Sequence, residues 1–377
     1  MSNVFEEYFG IHNKPHYLNQ QLTYDILQSC NFEFQKNILE KLQSLLYLSL
    51  DLCFTEKSIK ENFNENFTEE LIIGNLSNIE SEAVFLKPVS SNPPYPVVVV
   101  LHDHGGFYYW GKERIFMDDT TQPFLREYRE KFYSSKRWAL DLLEKGVAVF
   151  CPDAFYFGKR RLPQELIKTF VDNGTFKELI GFTDGSDEFI RLFNRISSEL
   201  EGIIFKNINL YGTNWPSILI NEDIAWLNYL LAREDVDKSR IGCMGFSLGG
   251  FRTLFLSALK REIKVSIIIA FMSEFSKMLG QTARHTFMVH IPGFTRFLDL
   301  PDIAALIVPR KLFVMQCNED SLFPFDAMKS AVDKIEEYYK EAGCRDNFLY
   351  KFYPNPHQFN SYMQEDAINY IFSNIQK

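Results

Sequence analysis

The sequence predicts an α/β fold in which a mostly parallel central sheet of about eight strands carries helices on both faces. Two observations lead to this prediction. Continuous apolar runs recur along the 377 residues, each bounded by Pro, Gly or polar residues, as expected for strands that are covered on both faces. Segments of helical periodicity separate most of these runs, and strands that alternate with helices form parallel sheets.

The eight predicted strands differ in pairing. The first two are expected to be antiparallel, and the third, at 95–102, contains four consecutive valines, so it is expected to lie in the buried part of the sheet. Five further runs have the same apolar character. The predicted strands are 69–75, 82–89, 95–102, 146–153, 240–247, 264–271, 310–320 and 347–355.

Helices are predicted between most of these strands and after the last one, at 134–145, 221–233, 249–261, 325–342 and 358–376. Two regions lie outside the alternation. Residues 17–53 are amphipathic and contain neither Pro nor Gly, so residues 1–65 are interpreted as an N-terminal helical extension. Residues 155–220 are rich in Phe, Arg, Asp and Gly and are predicted to be a cap region inserted over the edge of the sheet.

Composition excludes several classes of function. The chain has 40 basic and 49 acidic residues, a net charge of −9, and no run of Lys or Arg that could follow a phosphate backbone, so nucleic acid is not an expected partner. No apolar stretch approaches 18 residues, and the first ten residues are acidic without an apolar core, which argues against a membrane span or a secretion signal.

The six cysteines form no CxxC pair and no short Cys/His spacing of a zinc site. Three of them lie in apolar runs, where a thiol acts as a small hydrophobic group. A reduced, cytoplasmic protein is therefore expected.

One motif carries chemistry. Gly245-Phe246-Ser247-Leu248-Gly249 is the single G-x-S-x-G of the chain, with a predicted strand directly before it and a predicted helix directly after it. In this context the motif forms a sharp turn that lifts the serine hydroxyl to the top of the sheet beside a helix N-terminus. Ser247 is therefore predicted to be a nucleophile rather than part of an ordinary glycine-rich turn.

A serine nucleophile needs a base that is itself held in place. Three histidines follow Ser247, namely His285, His290 and His357. Only His357, in the sequence PNPHQF, stands between the last predicted strand and the terminal helix, from where it could reach back over the sheet. His357 is the predicted base, and a helix-capping or core histidine is the alternative interpretation.

The orienting acid is expected at the carboxyl end of a strand, where α/β sheets place their functional groups. Asp320 and Glu319 both follow the strand at 310–320. Asp320 is preferred because the turn SLFP after it would fix a short carboxylate. Glu319, Asp299 and Asp302 are the alternatives.

Negative charge on a carbonyl oxygen is stabilised by two backbone amides. The amide of Leu248, at the helix start, is the first candidate, and the second is expected from the loop after the valine-rich strand, with the sequence His102-Asp103-His104-Gly105-Gly106. The amide of His104 is preferred. The two histidines of this loop could also be metal ligands, but no third ligand is evident, and neither metal nor cofactor is predicted.

Aromatic residues stand on the loops expected to overhang Ser247, and they could bind sugar rings, aryl groups or acyl chains or could equally be core residues. The candidates for substrate contact are Phe107, Tyr108, Trp110, Tyr156 and Trp215.

The order Ser247, Asp320, His357 on an alternating β/α chain resembles the α/β-hydrolase superfamily. Within it, LHDHGGFYYWGKE, PDAFYFGKRR, DVDKSRIGCMGFSLGG, VPRKLFVMQCNEDSLFP and PNPHQF resemble the dienelactone hydrolase and acetyl xylan esterase-like branch. The resemblance covers 66–377 and implies a cofactor-free α/β-hydrolase catalytic domain that acts through an acyl-enzyme. Two residues depart from the pattern. Asp103 follows His102 where the branch has glycine, which leaves the second oxyanion donor open between His104 and Gly105, and the nucleophile is a serine rather than the cysteine of dienelactone hydrolases.

The resemblance therefore implies an esterase whose partner is a small-molecule ester, such as an acetylated sugar, a methyl ester or a lactone. Two alternatives are a serine peptidase of the prolyl-oligopeptidase type and a catalytically inactive hydrolase fold that acts as a binding protein. The peptidase usually carries a large N-terminal propeller, which about 65 residues cannot build. The inactive fold has no physical reason to retain all three residues.

Overall fold

The computed structural model describes residues 32–43, 45–46, 52–76, 79–278 and 286–375. Within them one sheet of nine strands has the order β1-β2-β3-β5-β4-β6-β7-β8-β9. The strands are β1 (Phe54–Phe63), β2 (Phe67–Leu76), β3 (Ile79–Pro88), β4 (Tyr95–Leu101), β5 (Ala148–Pro152), β6 (Val236–Phe246), β7 (Ile263–Ile269), β8 (Lys311–Cys317) and β9 (Phe348–Tyr353).

The sheet has an antiparallel part and a parallel part. Strands β1, β2 and β3 pair antiparallel with their neighbours, and β3 pairs antiparallel with β5. From β5 to β9 every pairing is parallel. Strands β4, β7 and β8 and residues 241–246 of β6 are almost completely buried, which explains their continuous apolar sequences. The sequence-based prediction of a mostly parallel α/β sheet is confirmed.

The described α-helices cover both faces of this sheet. They are α1 (Glu33–Gln43), α2 (Glu113–Phe116), α3 (Pro123–Tyr133), α4 (Leu140–Glu144), α5 (Gln164–Phe170), α6 (Asn173–Gly181), α7 (Asp187–Leu210), α8 (Trp215–Ala232), α9 (Leu248–Leu259), α10 (Phe294–Phe297), α11 (Leu300–Ala305), α12 (Phe325–Glu341) and α13 (Ser361–Ile375). Short 3₁₀ turns lie at Gly158–Arg160, Phe275–Met278, Phe287–Val289 and Arg345–Asn347.

Helix packing follows the connectivity. Helices α8, α9 and α11 form one layer, in which α9 packs directly on β6 and β7, and α4 and α13 pack on the opposite face. Among the described residues, no helix combines the length and the apolar character that a membrane span requires.

The predicted strands all occur, but β1 corrects the prediction for the N-terminal region. Residues 54–63 were assigned to a helical extension ending at residue 65, whereas they form the edge strand of the sheet. Their sequence, FTEKSIKENF, is charged and almost entirely exposed, so it carries no apolar signal of a strand. Of the predicted helical segment 17–53, the structure describes α1, and residues 17–31, 44 and 47–51 lie outside the described residues.

The region 155–220, predicted as an inserted cap, lies between β5 and β6 and contains α5, α6, α7 and the start of α8. Helix α7 is the longest of these, with 24 residues. The side chain of Ser186 accepts a hydrogen bond from the backbone N–H of Phe189, and Asp187 and Glu188 complement the positive end of the helix dipole. These features explain why α7 begins directly after the turn at 183–186.

Candidate active site

The carboxyl ends of the parallel strands meet at one edge of the sheet, and the turn after β6 places Ser247 there. Ser247 has φ 55° and ψ −122°, a backbone conformation that few residues other than glycine adopt. Its backbone N–H donates to the carbonyl oxygen of Ile269, at 2.8 Å, at the end of the neighbouring strand. Helix α9 begins at the next residue, Leu248. The strand–turn–helix geometry predicted for the motif is therefore present.

Glycines make this turn possible because the backbone around it is crowded. A Cβ on Gly249 would overlap the carbonyl oxygen of Leu101, at the end of β4. A Cβ on Gly245 would overlap the backbone of Gly249 and lie 2.7 Å from the same oxygen of Leu101. The motif thus needs glycine on both sides of Ser247 for the helix to approach the strand.

The side chains of Ser247, His357 and Asp320 form one line of hydrogen bonds. His357 Nε2 lies 2.9 Å from Ser247 Oγ, and His357 Nδ1 lies 2.5 Å from Asp320 Oδ2. The Asp320 side chain is almost fully buried and that of His357 is 15 % exposed. The ring of Phe246 lies 4.8 Å from that of His357, measured between centroids. The three residues selected from the sequence are therefore adjacent, in the order that nucleophilic catalysis requires.

The loops that carry Asp320 and His357 are joined to each other. The backbone N–H of Asn318 donates to Tyr353 O at 3.0 Å, which continues the β8–β9 pairing past the ends of the strands. Asp320 Oδ1 accepts the backbone N–H of Leu322 at 2.8 Å, so both of its oxygens are engaged. Glu319 is exposed, whereas Asp320 is buried.

The alternative acids and bases lie elsewhere. Asp299 and Asp302 form a capping box at the start of α11, and Asp299 also accepts the backbone N–H groups of Phe275 and Ser276. His290 is exposed and its Nδ1 lies 3.2 Å from Thr286 O. His285 lies outside the described residues. The stabilising use of Asp299 and Asp302 at a helix start explains their spacing.

The loop after β4 is held by hydrogen bonds from Arg114, a fully buried residue of α2. Its guanidinium donates to the carbonyl oxygens of Asp103, at 2.5 Å, and His104, at 2.9 Å. In a trans peptide the N–H points opposite to the C=O. The N–H groups of His104 and Gly105 therefore point away from Arg114.

A third amide of the loop is already used, since the N–H of Gly106 donates to His104 Nδ1 at 3.0 Å. The candidates for the second oxyanion donor are thereby reduced to the amides of His104 and Gly105, the two alternatives that the sequence left open. Gly105 has φ +52°, and a Cβ there would overlap the hydroxyl of Tyr128.

His102 and Asp103 have structural partners. Asp103 accepts the hydroxyls of Tyr128 and Tyr133, both from α3. His102 Nε2 accepts the backbone N–H of Ala154 at 3.0 Å. Burial and the nearby guanidiniums of Arg114 and Arg252 hold the pKa of His102 well below its usual range, so its imidazole is neutral. In the described part of the chain, no three His, Cys, Asp or Glu side chains cluster as a metal site would require.

A cavity of about 680 Å³ opens at Ser247. Its lining combines the surroundings of Ser247 and His357, the loop after β4, the α3 surface, α7 and the segment around 286. The lining residues are Asp103, His104, Gly105, Gly106, Tyr108, Lys131, Phe132, Ser198, Glu201, Phe246, Ser247, Thr286, Phe287, Ser321, Leu322, Pro356, His357 and Gln358.

Of the five aromatic candidates for substrate contact, Tyr108 lines this cavity. The other four do not line it. Phe107 is buried and stacks on Trp110, with ring centroids 5.5 Å apart. Tyr156 and Trp215 are fully buried and pack edge to face at 5.0 Å. Trp110 is half-buried, and Phe107, Tyr156 and Trp215 belong to the hydrophobic core.

Two residues of α7 that were not predicted from the sequence contact the loop after β4. Asn194 Oδ1 accepts the backbone N–H groups of Tyr108, at 2.8 Å, and Tyr109, at 2.9 Å. Glu201 accepts from the side chains of His104 and Tyr108, both at 2.6 Å. The two residues are seven positions apart, on the buried face of α7. Two polar residues on one apolar helical face are the signal that could have identified them.

Comparisons with known proteins agree with this fold. No protein-family model matches the chain. The "Putative hydrolase YtaP" of Bacillus subtilis (strain 168) is 22% identical over 313 residues, 82% of this chain and 89% of that protein. A putative acetyl xylan esterase from Bacteroides fragilis NCTC 9343 superposes with a TM-score of 0.61 at 16% identity, over 93% of this chain and 81% of the other.

A further solved structure, Methylesterase BT1017, superposes with a TM-score of 0.57 at 15% identity, over 100% of this chain and 69% of the other. At these identities the structural likeness establishes the fold. The chain has the α/β-hydrolase fold that its motifs predicted.

Proposed function

We propose that the protein is a serine hydrolase that cleaves a carboxylic ester of a small molecule through a covalent acyl-enzyme. One observation carries this proposal: Ser247 Oγ lies 2.9 Å from His357 Nε2, while Asp320 holds the other nitrogen of the same imidazole. A serine hydroxyl is a weak nucleophile until a base accepts its proton, and this geometry supplies the base.

In the first half of the reaction, His357 Nε2 accepts the proton of Ser247 Oγ while the oxygen attacks the ester carbonyl carbon. The electron pair of the carbonyl π bond moves onto the carbonyl oxygen, and a tetrahedral intermediate forms. Asp320 accepts the Nδ1–H of His357, which selects the tautomer with a free Nε2 and stabilises the imidazolium that results. Collapse of the intermediate expels the alcohol oxygen, which takes the proton from Nε2.

The negative oxygen of the intermediate needs donors that are in place before the reaction. The N–H of Leu248 is at the first position of α9, where helix amides have no partner within the helix. The second donor comes from the His104–Gly105 part of the loop after β4, whose amides face away from Arg114. In the second half of the reaction water replaces the alcohol, and His357 accepts its proton in the same way.

The proposal also covers the substrate class, the need for metal or cofactor, and the cellular location. The substrate is a small ester, and an acetylated sugar, a methyl ester or a lactone is the class to test, consistent with the esterases that the fold resembles. The residues of the chain supply every group in this mechanism, so we expect activity without added metal or cofactor. A cytoplasmic location is proposed from the cysteines, of which the five in the described residues are free thiols.

The test is labelling with a fluorophosphonate probe combined with turnover of p-nitrophenyl acetate. Wild-type protein should be labelled, and Ser247→Ala should not be labelled. Its kcat should fall by about 10⁶-fold, the effect of removing the nucleophile of a serine hydrolase. Ser239→Ala is the control, because Ser239 is exposed near the opposite end of β6. A panel of acetylated sugars, methyl esters and lactones then identifies the substrate class.

Two alternative functions would give different results. A serine peptidase would cleave peptide p-nitroanilides at least as well as aryl esters. An inactive hydrolase fold that acts as a binding protein would not react with the probe at all. Ester turnover that is abolished by EDTA and restored by Zn²⁺ would contradict the serine mechanism and direct attention to His102 and His104.

A further inference from the structure

Glu201 occupies a buried position, where a charged side chain costs free energy unless it is hydrogen-bonded. The buried face of α7 is formed by apolar residues at helical spacing, among them Phe193, Leu200 and Ile204. Glu201 lies on this face, and its side chain is only 7 % exposed. A buried carboxylate is tolerated when hydrogen-bond donors surround it, so its partners indicate what it does.

Both oxygens of Glu201 have donors. Oε1 accepts from His104 Nε2 and from the hydroxyl of Tyr108, each at 2.6 Å. Oε2 accepts from the hydroxyl of Thr286 at 2.7 Å and from the backbone N–H of Phe287 at 3.3 Å. Four hydrogen-bond donors on these two oxygens favour the ionised form of the carboxyl group. Glu201 is therefore an ionised carboxylate that joins three segments at the cavity.

The contacts of His104 define its tautomer. The Glu201 carboxylate can only accept, so His104 Nε2 carries the hydrogen. The backbone N–H of Gly106 donates to Nδ1 at 3.0 Å, so Nδ1 carries none. Two independent contacts thus agree on a neutral imidazole with the hydrogen on Nε2. The side chain of His104 forms a bridge from α7 to the backbone of its own loop.

We propose that Glu201 is a positioning residue for the oxyanion hole: by fixing His104, it holds the 104–106 loop so that a backbone amide faces the carbonyl oxygen at Ser247. This inference rests on the proposed function. Glu201 acts through the loop and not on the substrate oxygen, because a carboxylate would repel the negative charge that develops there. The region inserted between β5 and β6 thereby contributes to catalysis as well as to the wall of the cavity.

The experiment compares an ester with the matching thionoester, in which sulfur replaces the carbonyl oxygen. Sulfur is a poor hydrogen-bond acceptor, so an enzyme that uses an oxyanion hole favours the oxygen ester, and an enzyme whose hole is displaced loses that preference. Glu201→Ala should lower kcat for the oxygen ester by about 10²-fold, the effect of a displacement of about 1 Å, with a smaller change in KM. Turnover of the thionoester should change much less.

Four further variants separate this role from a general loss of structure. Glu201→Gln retains an oxygen that can accept from His104 Nε2, so it should keep most of the preference for the oxygen ester. Glu199→Ala should behave as wild type, because Glu199 is exposed on the same helix. Glu201→Ala combined with His104→Ala should be no worse than His104→Ala alone, since the two residues act in series.

The outcomes are distinct. An unchanged ratio of ester to thionoester rates in a folded Glu201→Ala protein would overturn the role of Glu201 and leave the proposed function intact. The same holds for full additivity of the two alanine variants. A wild-type protein without Ser247-dependent ester turnover would overturn the proposed function, and the role of Glu201 with it.

Discussion

Two histidines line the same cavity, and each is paired with a buried carboxylate, but the pairs are arranged in opposite ways. Asp320 lies 2.5 Å from Nδ1 of His357, which leaves Nε2 facing Ser247. Glu201 lies 2.6 Å from Nε2 of His104, which leaves Nδ1 to accept the backbone N–H of Gly106. The carboxylate selects the tautomer in both cases. The group on the other nitrogen then decides whether the imidazole can serve as a base.

The His357–Asp320 pair is therefore suited to proton transfer, and the His104–Glu201 pair is suited to holding the loop in place. The free nitrogen of His357 meets a hydroxyl, which can lose a proton. The free nitrogen of His104 meets an amide, which does not lose its proton near neutral pH. A His–carboxylate contact alone therefore does not identify a catalytic base. The following changes test the difference between the two pairs.

The largest effect is expected from Asp320→Asn. The amide retains the shape of the carboxylate but favours the wrong tautomer of His357 and leaves the imidazolium unstabilised, so kcat should fall by about 10⁴-fold. Ester turnover of the purified variant gives the measurement. Glu319→Gln is the matched control, because the adjacent Glu319 is exposed, and its kcat should remain near that of wild type. The opposite result would assign the acid to Glu319.

Replacement of Gly249 by alanine should displace Ser247, the residue that faces Nε2 of His357. The added methyl group would overlap the Leu101 carbonyl oxygen, which belongs to rigid backbone. The free energy of unfolding should fall by about 3 kcal/mol, as for other overpacked cores, and ester turnover should fall with it. Urea unfolding provides the measurement. Gly181→Ala should have little effect on stability, because nothing lies within 4 Å of a Cβ there; equal losses in both variants would contradict the close-approach argument.

Asn194→Ala should destabilise the loop after β4, which carries His104. The substitution leaves the buried amides of Tyr108 and Tyr109 without their acceptor, which should cost about 2 kcal/mol of unfolding free energy. The Asn207 side chain bonds within α7, to Ile203 O, so Asn207→Ala should cost less than about 1 kcal/mol, as expected for a single exposed hydrogen bond. Thermal or urea unfolding of both variants gives the measurement. Similar losses of unfolding free energy in the two variants would show that α7 does not hold the loop through Asn194.

The smallest effect concerns His102, which lies beside the guanidinium of Arg114. Its pKa is lowered in the folded state, so below the ordinary value of about 6.5 the unfolded state binds a proton that the folded state does not. Stability should therefore be fully present above pH 6.5 and should fall on acidification, by up to about 1.4 kcal/mol per pH unit from this residue.

The measurement is urea unfolding at pH 7.5 and pH 5.5. His102→Gln should reduce the loss between the two pH values, because glutamine can accept from Ala154 without titrating. His290→Gln should leave the loss unchanged, since His290 is exposed. A His102→Gln protein with the full wild-type loss would show that other groups cause it.

Residues whose role follows from local pattern were predictable. Strands β4, β5, β6, β7 and β8 were found because burial on both faces requires apolar residues, and Ser247 was found because a sharp turn between strand and helix requires glycines around it. Asp320 and His357 were identified because they follow β8 and β9, and parallel strands bring their carboxyl ends to one edge.

Strand β1 was missed for the opposite reason. It is an exposed edge strand whose stability comes from hydrogen bonds to β2, and backbone hydrogen bonds leave no trace in the sequence. The burial of the aromatic candidates for substrate contact was not predictable from the sequence either. Phe107, Tyr156 and Trp215 are core residues because other parts of the chain cover them, and a sequence does not state what will cover a side chain.

The sequence by itself therefore determined the parallel sheet, the turn at Ser247 and the order of Ser247, Asp320 and His357, since each depends on spacing along the chain. Only the tertiary structure decided the partner of His104. Glu201 is 97 positions away and reaches the loop because α7 packs across it. A contact between distant segments depends on how helices pack, and packing is set by the whole core rather than by a local motif.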